Sequence, residues 1–206
     1  MDGINTWWRE VRGERFWLGI PDRGGDGEWL AAPCAVERNS PVWRTPSLIT
    51  HVMDGDVVFH YDETRQAIVA WSTSRGRARR KRMAWSRRTP GPRAERAASH
   101  LLPSWVIDLE PSTPLDGAVA ADQIARTQWD RFPALRAFED RVGEPLYYPF
   151  TMGSPTGTRL LPGHVFKLPA LFVEWFPALA RVAEGMRWST LPRTSVADRA
   201  MASVGV

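Results

Sequence analysis

Residues 41–74, PVWRTPSLITHVMDGDVVFHYDETRQAIVAWSTS, contain two β-branched runs and the turn chemistry that joins them. The spacing predicts loop, short helix, turn and hairpin. Ser47 stands where it can cap a one- or two-turn helix running to Met53, and Gly55 supplies the stop. Asp56–Tyr61 and Gln66–Thr73 read as two strands, with Asp62–Arg65 as a tight hairpin loop between them. Val57, Phe59 and Tyr61 share one face and Val58 and His60 the other, so near-continuous apolarity predicts burial on both sides. Trp43 and Trp71 stand near the two ends of the unit.

Upstream, Glu14–Ile20 (ERFWLGI) reads as a first strand with Phe16, Leu18 and Ile20 on one face. Residues 21–27 make a glycine-rich loop that starts at Pro21-Asp22. Glu28–Ser40 has no clear period and is expected to be irregular or a short helix. Trp7 and Trp8 suggest a short helix near the N-terminus. Downstream, Ser104–Leu109 resumes the strand pattern, and Pro111–Pro114 ends it. Asp116–Asp130 and Pro133–Val142 are expected to be two helices, the second stopped by Gly143. Tyr147–Phe150 suits a strand or a rim loop, and His164–Leu168 a last strand. From Pro169, an apolar stripe of Leu171, Phe172, Trp175, Leu179 and Val182 predicts a helix to Gly185, bent at Pro177. Residues 1–188 are expected to form one domain, and 189–206 a linker or chain end.

The chain has 206 residues and 43% apolar content, enough for one sizeable core. No run approaches 18 apolar residues and no signal peptide is visible, so a cytoplasmic location without a membrane span is expected. Cys34 is the single cysteine, which excludes an internal disulfide and any cysteine-rich zinc site. Neither a cofactor nor a metal is expected. The histidines are scattered rather than paired as a metal-dependent nuclease finger needs, and no phosphate-cradling glycine loop or nucleophile elbow is present.

Charge is concentrated. Residues 75–96, RGRARRKRMAWSRRTPGPRAER, hold ten Lys/Arg against one acid, which leaves 17 basic and 22 acidic residues elsewhere of the 27 and 23 in the chain. A basic segment on an acidic body points to a polyanion. With few apolar residues and Pro90-Gly91-Pro92, the segment is expected to be a mobile loop. Arg75, Arg77, Arg79, Arg80, Lys81, Arg82, Arg87 and Arg88 are the candidate phosphate contacts, since guanidinium pairs bidentately with phosphate. Trp85, set among them, is a candidate wedge or an anchor for the loop.

Trp43, the short helix, Met53-Asp54-Gly55-Asp56, Phe59-His60-Tyr61 and Ala67-Ile68-Val69, taken in order, resemble the EVE domain of the PUA superfamily. The resemblance is strongest over residues 15–74, and EVE domains are similar in fold to YTH domains and, more distantly, to SRA domains. Leu146–Phe150 and His164–Pro169 resemble the later part of EVE-like modules fused to HNH nucleases in modification-dependent, type IV restriction enzymes. The resemblance implies an α+β fold, a PUA-like twisted β-barrel of five to six strands surrounded by helices. It also implies that one modified or extruded base is held in an aromatic pocket. Trp43 takes the place of a pocket wall and Asp22 that of an acceptor for an exocyclic amine. Tyr148, made rigid by Pro149, is a second stacking candidate. Trp71 and Ser72 point to opposite faces of their strand, so one of them is expected to line the pocket.

The expected function is a non-enzymatic reader of 5-methylcytosine or 5-hydroxymethylcytosine in double-stranded DNA, working by base flipping, with a nuclease domain as a possible C-terminal partner. The alternatives are a YTH-like reader of a methylated base in RNA and a protein-interaction module.

Overall fold

The structure, a computed structural model, describes residues 4–20, 28–34, 48–85, 100–151, 159–161 and 163–189. The strands are β1 (Phe16–Gly19), β2 (Trp29–Pro33), β3 (Val57–Asp62), β4 (Ala67–Trp85), β5 (His100–Leu109), β6 (Thr113–Ala120) and β7 (Val165–Leu168). The helices are α1 (Ala121–Val142), α2 (Ala170–Glu174) and α3 (Pro177–Ser189), with 3-10 turns at Trp7–Arg9 and Ile49–His51. Together they make a mixed α+β fold around a curled seven-stranded sheet of order β2-β5-β4-β3-β1-β7, with β6 paired to β4. The β1–β3 pair is parallel and the other pairs are antiparallel.

The β3–β4 hairpin forms where residues 56–73 predict it, with Asp62 Oδ1 accepting from the Thr64 and Arg65 amides in the turn. Partners across a sheet share a face. Trp17 therefore lies with Val58 and Lys167, Gly19 with His60, and Val58 with Ser72. A methyl group built on Gly19 would sit 3.0 Å from Leu30 of β2 and Val58 of β3. This is the face on which the sheet curls over itself, and glycine is what the close approach admits. On the opposite face Phe16 stacks on Phe59, and Tyr61 meets Phe150, which stacks in turn on Phe172 of α2.

Four elements differ from the sequence reading. Residues 75–85 are the outer part of strand β4, paired to β5 from Ser74↔Leu109 to Trp85↔His100, rather than a mobile loop. Cross-strand pairing to the apolar β5 holds this basic stretch extended, and charge is what an edge strand tolerates. Residues 86–99, the rest of that segment, lie outside the described residues. Residues 29–33 are strand β2, although alanines gave no β-branched signal. Thr113–Ala120 is strand β6, not the start of a helix; an edge position accepts Pro114, and Gly117 at φ +97° accommodates the local distortion. Finally, α1 runs unbroken through Pro133 because Ile124, Leu135 and Phe138 all pack on the core. Its C-terminus closes as expected, with Gly143 left-handed and its amide donating to the Glu139 carbonyl. Its first amide, Ala121 N–H, donates to the Gln66 carbonyl of the hairpin turn, which does the work of a missing side-chain cap. Ser47 lies outside the described residues; the turn that follows it, Ile49–His51, is 3-10. Pro177 separates α2 from α3, in line with the expected bend.

The concave face buries charge. Lys167 Nζ, fully buried, lies 3.1 Å from Glu14 Oε2 and also donates to the Phe16 and Leu168 carbonyls. The Glu14 carboxylate in turn accepts from the Ala170 amide at the start of α2. Burial pulls the Lys167 pKa down and Glu14 opposes it. The Trp7 and Trp17 rings flank the ammonium at 5.3 and 5.5 Å. Lys167→Met alone leaves Glu14 a buried charge without its counterion, so stability to urea should fall by about 3–5 kcal/mol. Adding Glu14→Gln should recover at least half of that loss; a double variant no more stable than the single would show that the two groups are not coupled.

Candidate nucleic-acid interface

The long strand β4 changes partner midway. Ala67–Trp71 pair with β6, and from Ser74 onward the partner is β5. At the changeover the register slips between Arg75 and Arg79, Gly76 takes φ +70°, and its amide donates to Asp54 Oδ1 at 2.6 Å. Such a bulge bends and re-aims a strand. Beyond it, β4 and β5 form an arm, with β2 paired to the far edge of β5 from Ser104 to Asp108, and the other edge of β4 has no strand partner among the described residues from Arg75 to Trp85.

The structure brings six of the eight candidate phosphate contacts onto this arm. Arg75 pairs with Glu110 at 3.1 Å and Arg79 with Asp108 at 2.6 Å, all four largely exposed. Arg80 lies over the Trp105 ring at 4.9 Å, and Arg82 Nη2 donates to the Leu101 carbonyl at 3.3 Å. Arg77 and Lys81 are exposed and form no ion pair among the described residues. Two of six positive charges are thus neutralised, and four remain on an accessible edge. Arg87 and Arg88 lie outside the described residues.

Trp85 is the anchor rather than the wedge. Its indole N–H donates to Ser104 Oγ at 2.7 Å, and its ring meets His164 edge-on at 4.8 Å. With both its polar group and its ring engaged, it ties the arm to the segment before β7.

Of the pocket candidates, the described ones, Tyr148, Trp71 and Ser72, do not share one pocket. Trp43 and Asp22 lie outside the described residues. Tyr148 is a core residue, 8% exposed, not a free stacking face: its hydroxyl donates to Gln128 Oε1 at 2.9 Å and its ring packs on Phe150 and Phe172. Burial raises its pKa well above the ordinary phenol value. Trp71 and Ser72 do point to opposite faces. Trp71 lines an open groove of about 420 Å³ between β4, β6 and α3, with Pro114, Leu115, Val182 and Met186, bridged by the Arg181–Asp116 ion pair. Ser72 is sealed on the concave side, 1% exposed, where its hydroxyl meets His60 Nε2 at 2.8 Å.

This Ser–His pair resembles nucleophile and base by distance alone. His60 is only 6% exposed, so no substrate reaches it in this conformation. Burial lowers the His60 pKa to about 4, which keeps the ring neutral. The Gly-Asp motif is also structural. Asp56 accepts from Arg15 Nε, from the Trp17 indole and from the Met53 amide, at 3.0, 2.9 and 2.9 Å. Among the described residues no three His, Cys, Asp or Glu side chains converge as metal ligands, and no helix is long and apolar enough to cross a membrane.

No protein-family model matches the chain, and no curated protein matches it. Among solved structures, it is similar to Rpa0253 from Rhodopseudomonas palustris at 14% identity and a TM-score of 0.37, over 86% of this chain and 96% of that one. It is also similar to Atu2648 from Agrobacterium tumefaciens at 12% identity and a TM-score of 0.35, over 82% of this chain and 92% of that one. Likeness this slight bears on neither fold nor function.

The pH dependence of stability follows from His60. Its folded pKa of about 4 lies below the unfolded value of 6.5, so the unfolded chain takes up the proton first as pH falls. The contribution is constant above 6.5 and is lost progressively between 6.5 and 4, by roughly 3 kcal/mol in total. Urea midpoints measured at both ends of that window should converge for His60→Gln relative to wild type, because carboxylate effects common to the two proteins cancel.

Proposed function

We propose that this chain is a cytoplasmic DNA-binding module that grips duplex DNA with the β4–β5 arm and reads a modified cytosine, 5-methyl- or 5-hydroxymethylcytosine, extruded from the helix. In this reading it performs no chemistry of its own and serves as the recognition part of a modification-dependent restriction system, with a nuclease as its effector. The observation that carries the reading is the arm: six basic side chains within eight residues on an open strand edge, only two of them paired with carboxylates among the described residues. A folded strand presents those charges at fixed spacing, so binding need not first order them, as a mobile loop would. The base-reading part is supported by the sequence resemblance, through Trp43 and Asp22.

Magnitudes separate the two parts. Phosphate contacts supply affinity without regard to sequence. Burying one methyl group contributes about 0.8 kcal/mol, roughly a fourfold preference, so strong discrimination requires a polar contact or close shape fit at the base.

Binding should be measured against salt on duplexes that differ in one cytosine, unmodified, methylated or hydroxymethylated. With Arg77, Arg80, Lys81, Arg82, Arg87 and Arg88 on phosphates, log K should fall against log salt with a slope of about −5. Arg77→Ala/Lys81→Ala should make the slope shallower by about 2 while leaving the preference among duplexes intact. Trp43→Ala should do the reverse. Tighter binding to unpaired RNA than to any duplex would replace the DNA reading with the RNA one.

A further inference from the structure

The geometry points to Leu101, at the outer end of the arm, as the side chain that enters the duplex and unstacks a base step. This deepens the reading of the chain as a duplex-DNA binder and rests on it. Among the described residues four large apolar side chains are exposed, and two of them, Leu101 at 59% and Leu102 at 40%, are neighbours on β5. Cross-strand register places Leu101 opposite Ala84, Pro103 opposite Arg82 and Trp105 opposite Arg80. One face of the arm therefore carries an apolar column, Leu101, Pro103 and Trp105, directly beside a cationic column, Arg82 and Arg80.

Among the described residues the charge on that face is not compensated. Asp108 and Glu110, which neutralise Arg79 and Arg75, stand at even positions of the β5 segment, and alternation sends Asp108 to the other face with Ser104 and Val106. Two arginines with no facing carboxylate among the described residues, set beside exposed leucine and proline, make a surface that suits neither an acidic peptide alone nor an apolar protein groove. It suits a duplex, whose phosphates flank a stack that apolar wedges such as Leu and Pro are able to open.

The leucine is also held in place. Its residue is paired to Ala84 across the ladder, and its carbonyl accepts from Arg82 Nη2 at 3.3 Å. A wedge must keep its position against the stack, and both contacts fix the backbone beneath this one. Trp85, the aromatic at the outer end of β4, is engaged with Ser104 and His164 and is not available.

The test uses a duplex with one 5-methylcytosine next to the fluorescent adenine analogue 2-aminopurine, whose emission rises when it is unstacked. Wild type should raise the emission several-fold, and Leu101→Ala should cut that rise by about threefold or more, with the salt slope unchanged because leucine touches no phosphate. Trp129→Ala, which removes an exposed apolar side chain of α1, should leave both readouts as in wild type. Full enhancement in Leu101→Ala, or an equal loss in Trp129→Ala, would overturn the wedge while leaving DNA binding standing. Failure of wild type to bind any duplex would overturn the proposed function and the wedge with it.

Discussion

Strand β4 is hydrogen-bonded to three different strands along its nineteen residues, and the two halves of the molecule exist because of that division. Its first half lies between β3 and β6 in the body of the sheet. Its second half leaves that company at Gly76 and continues with β5 alone. A two-stranded ribbon is marginal by itself, and this one is two-stranded only at its outer end, where β2 no longer flanks β5. This one is rooted at its base in a buried sheet and pinned at its outer end by Trp85 on Ser104 and His164. The same main-chain ladder that completes the fold thus carries the positive charge into solvent.

The base of that ladder is held by polar groups that an ordinary sheet would not bury. Asp56 accepts from three donors on the concave side, and the Ser74 hydroxyl, at the point where β4 changes partner, bonds to the main chain of both Met53 and Asp56. Asp54, one turn away, receives the Gly76 amide. The Met-Asp-Gly-Asp sequence therefore sets where the arm begins. Glu14 and Lys167 do the equivalent task at the other side of the sheet, joining β1 to β7 and to the first amide of α2. Each charge is tolerable only because its partners are in place, so these groups confer a single arrangement rather than simple adhesion.

What the sequence made legible, and what it hid, follows the same line. Local signals were enough wherever one residue type decides a local geometry: the β3–β4 hairpin, the stop at Gly143 and the break at Pro177. They failed where a distant partner decides. Nothing in RGRARRKRMAW favours a strand over a solvated loop except the presence of HLLPSWVIDL to pair with, and that is a tertiary fact. Thr113–Ala120 likewise became a strand through pairing to β4, against its own proline and glycine. Tyr148 failed as a pocket residue for a related reason: Gln128 and Phe172, which enclose it, lie 20 and more residues away in the chain. The alternation Leu101, Pro103, Trp105 was readable as period two, but its meaning depended on knowing that arginines stand opposite.

A division of labour between affinity and selectivity follows from where the groups lie. The arm offers charge at regular spacing and one exposed leucine, features that every duplex can satisfy to a similar degree. In the proposed reading it contributes attachment and local opening of the stack, and neither depends on a methyl or hydroxymethyl group. Of the residues on which base selectivity was placed, Ser72 is sealed with His60 and Tyr148 is occupied by the core, so neither is free to meet a base in this arrangement. In the proposed reading the discrimination therefore falls to Trp43, Asp22 and the groove-lining Trp71, whose partner is a base already out of the helix. Unstacking a base costs a few kcal/mol and stacking it on an aromatic ring returns about 1–3 kcal/mol, so the pocket alone does not hold the base out at a profit. In that reading the wedge on the arm closes the gap, because it would fill the vacated step while the arginines beside it hold the flanking phosphates.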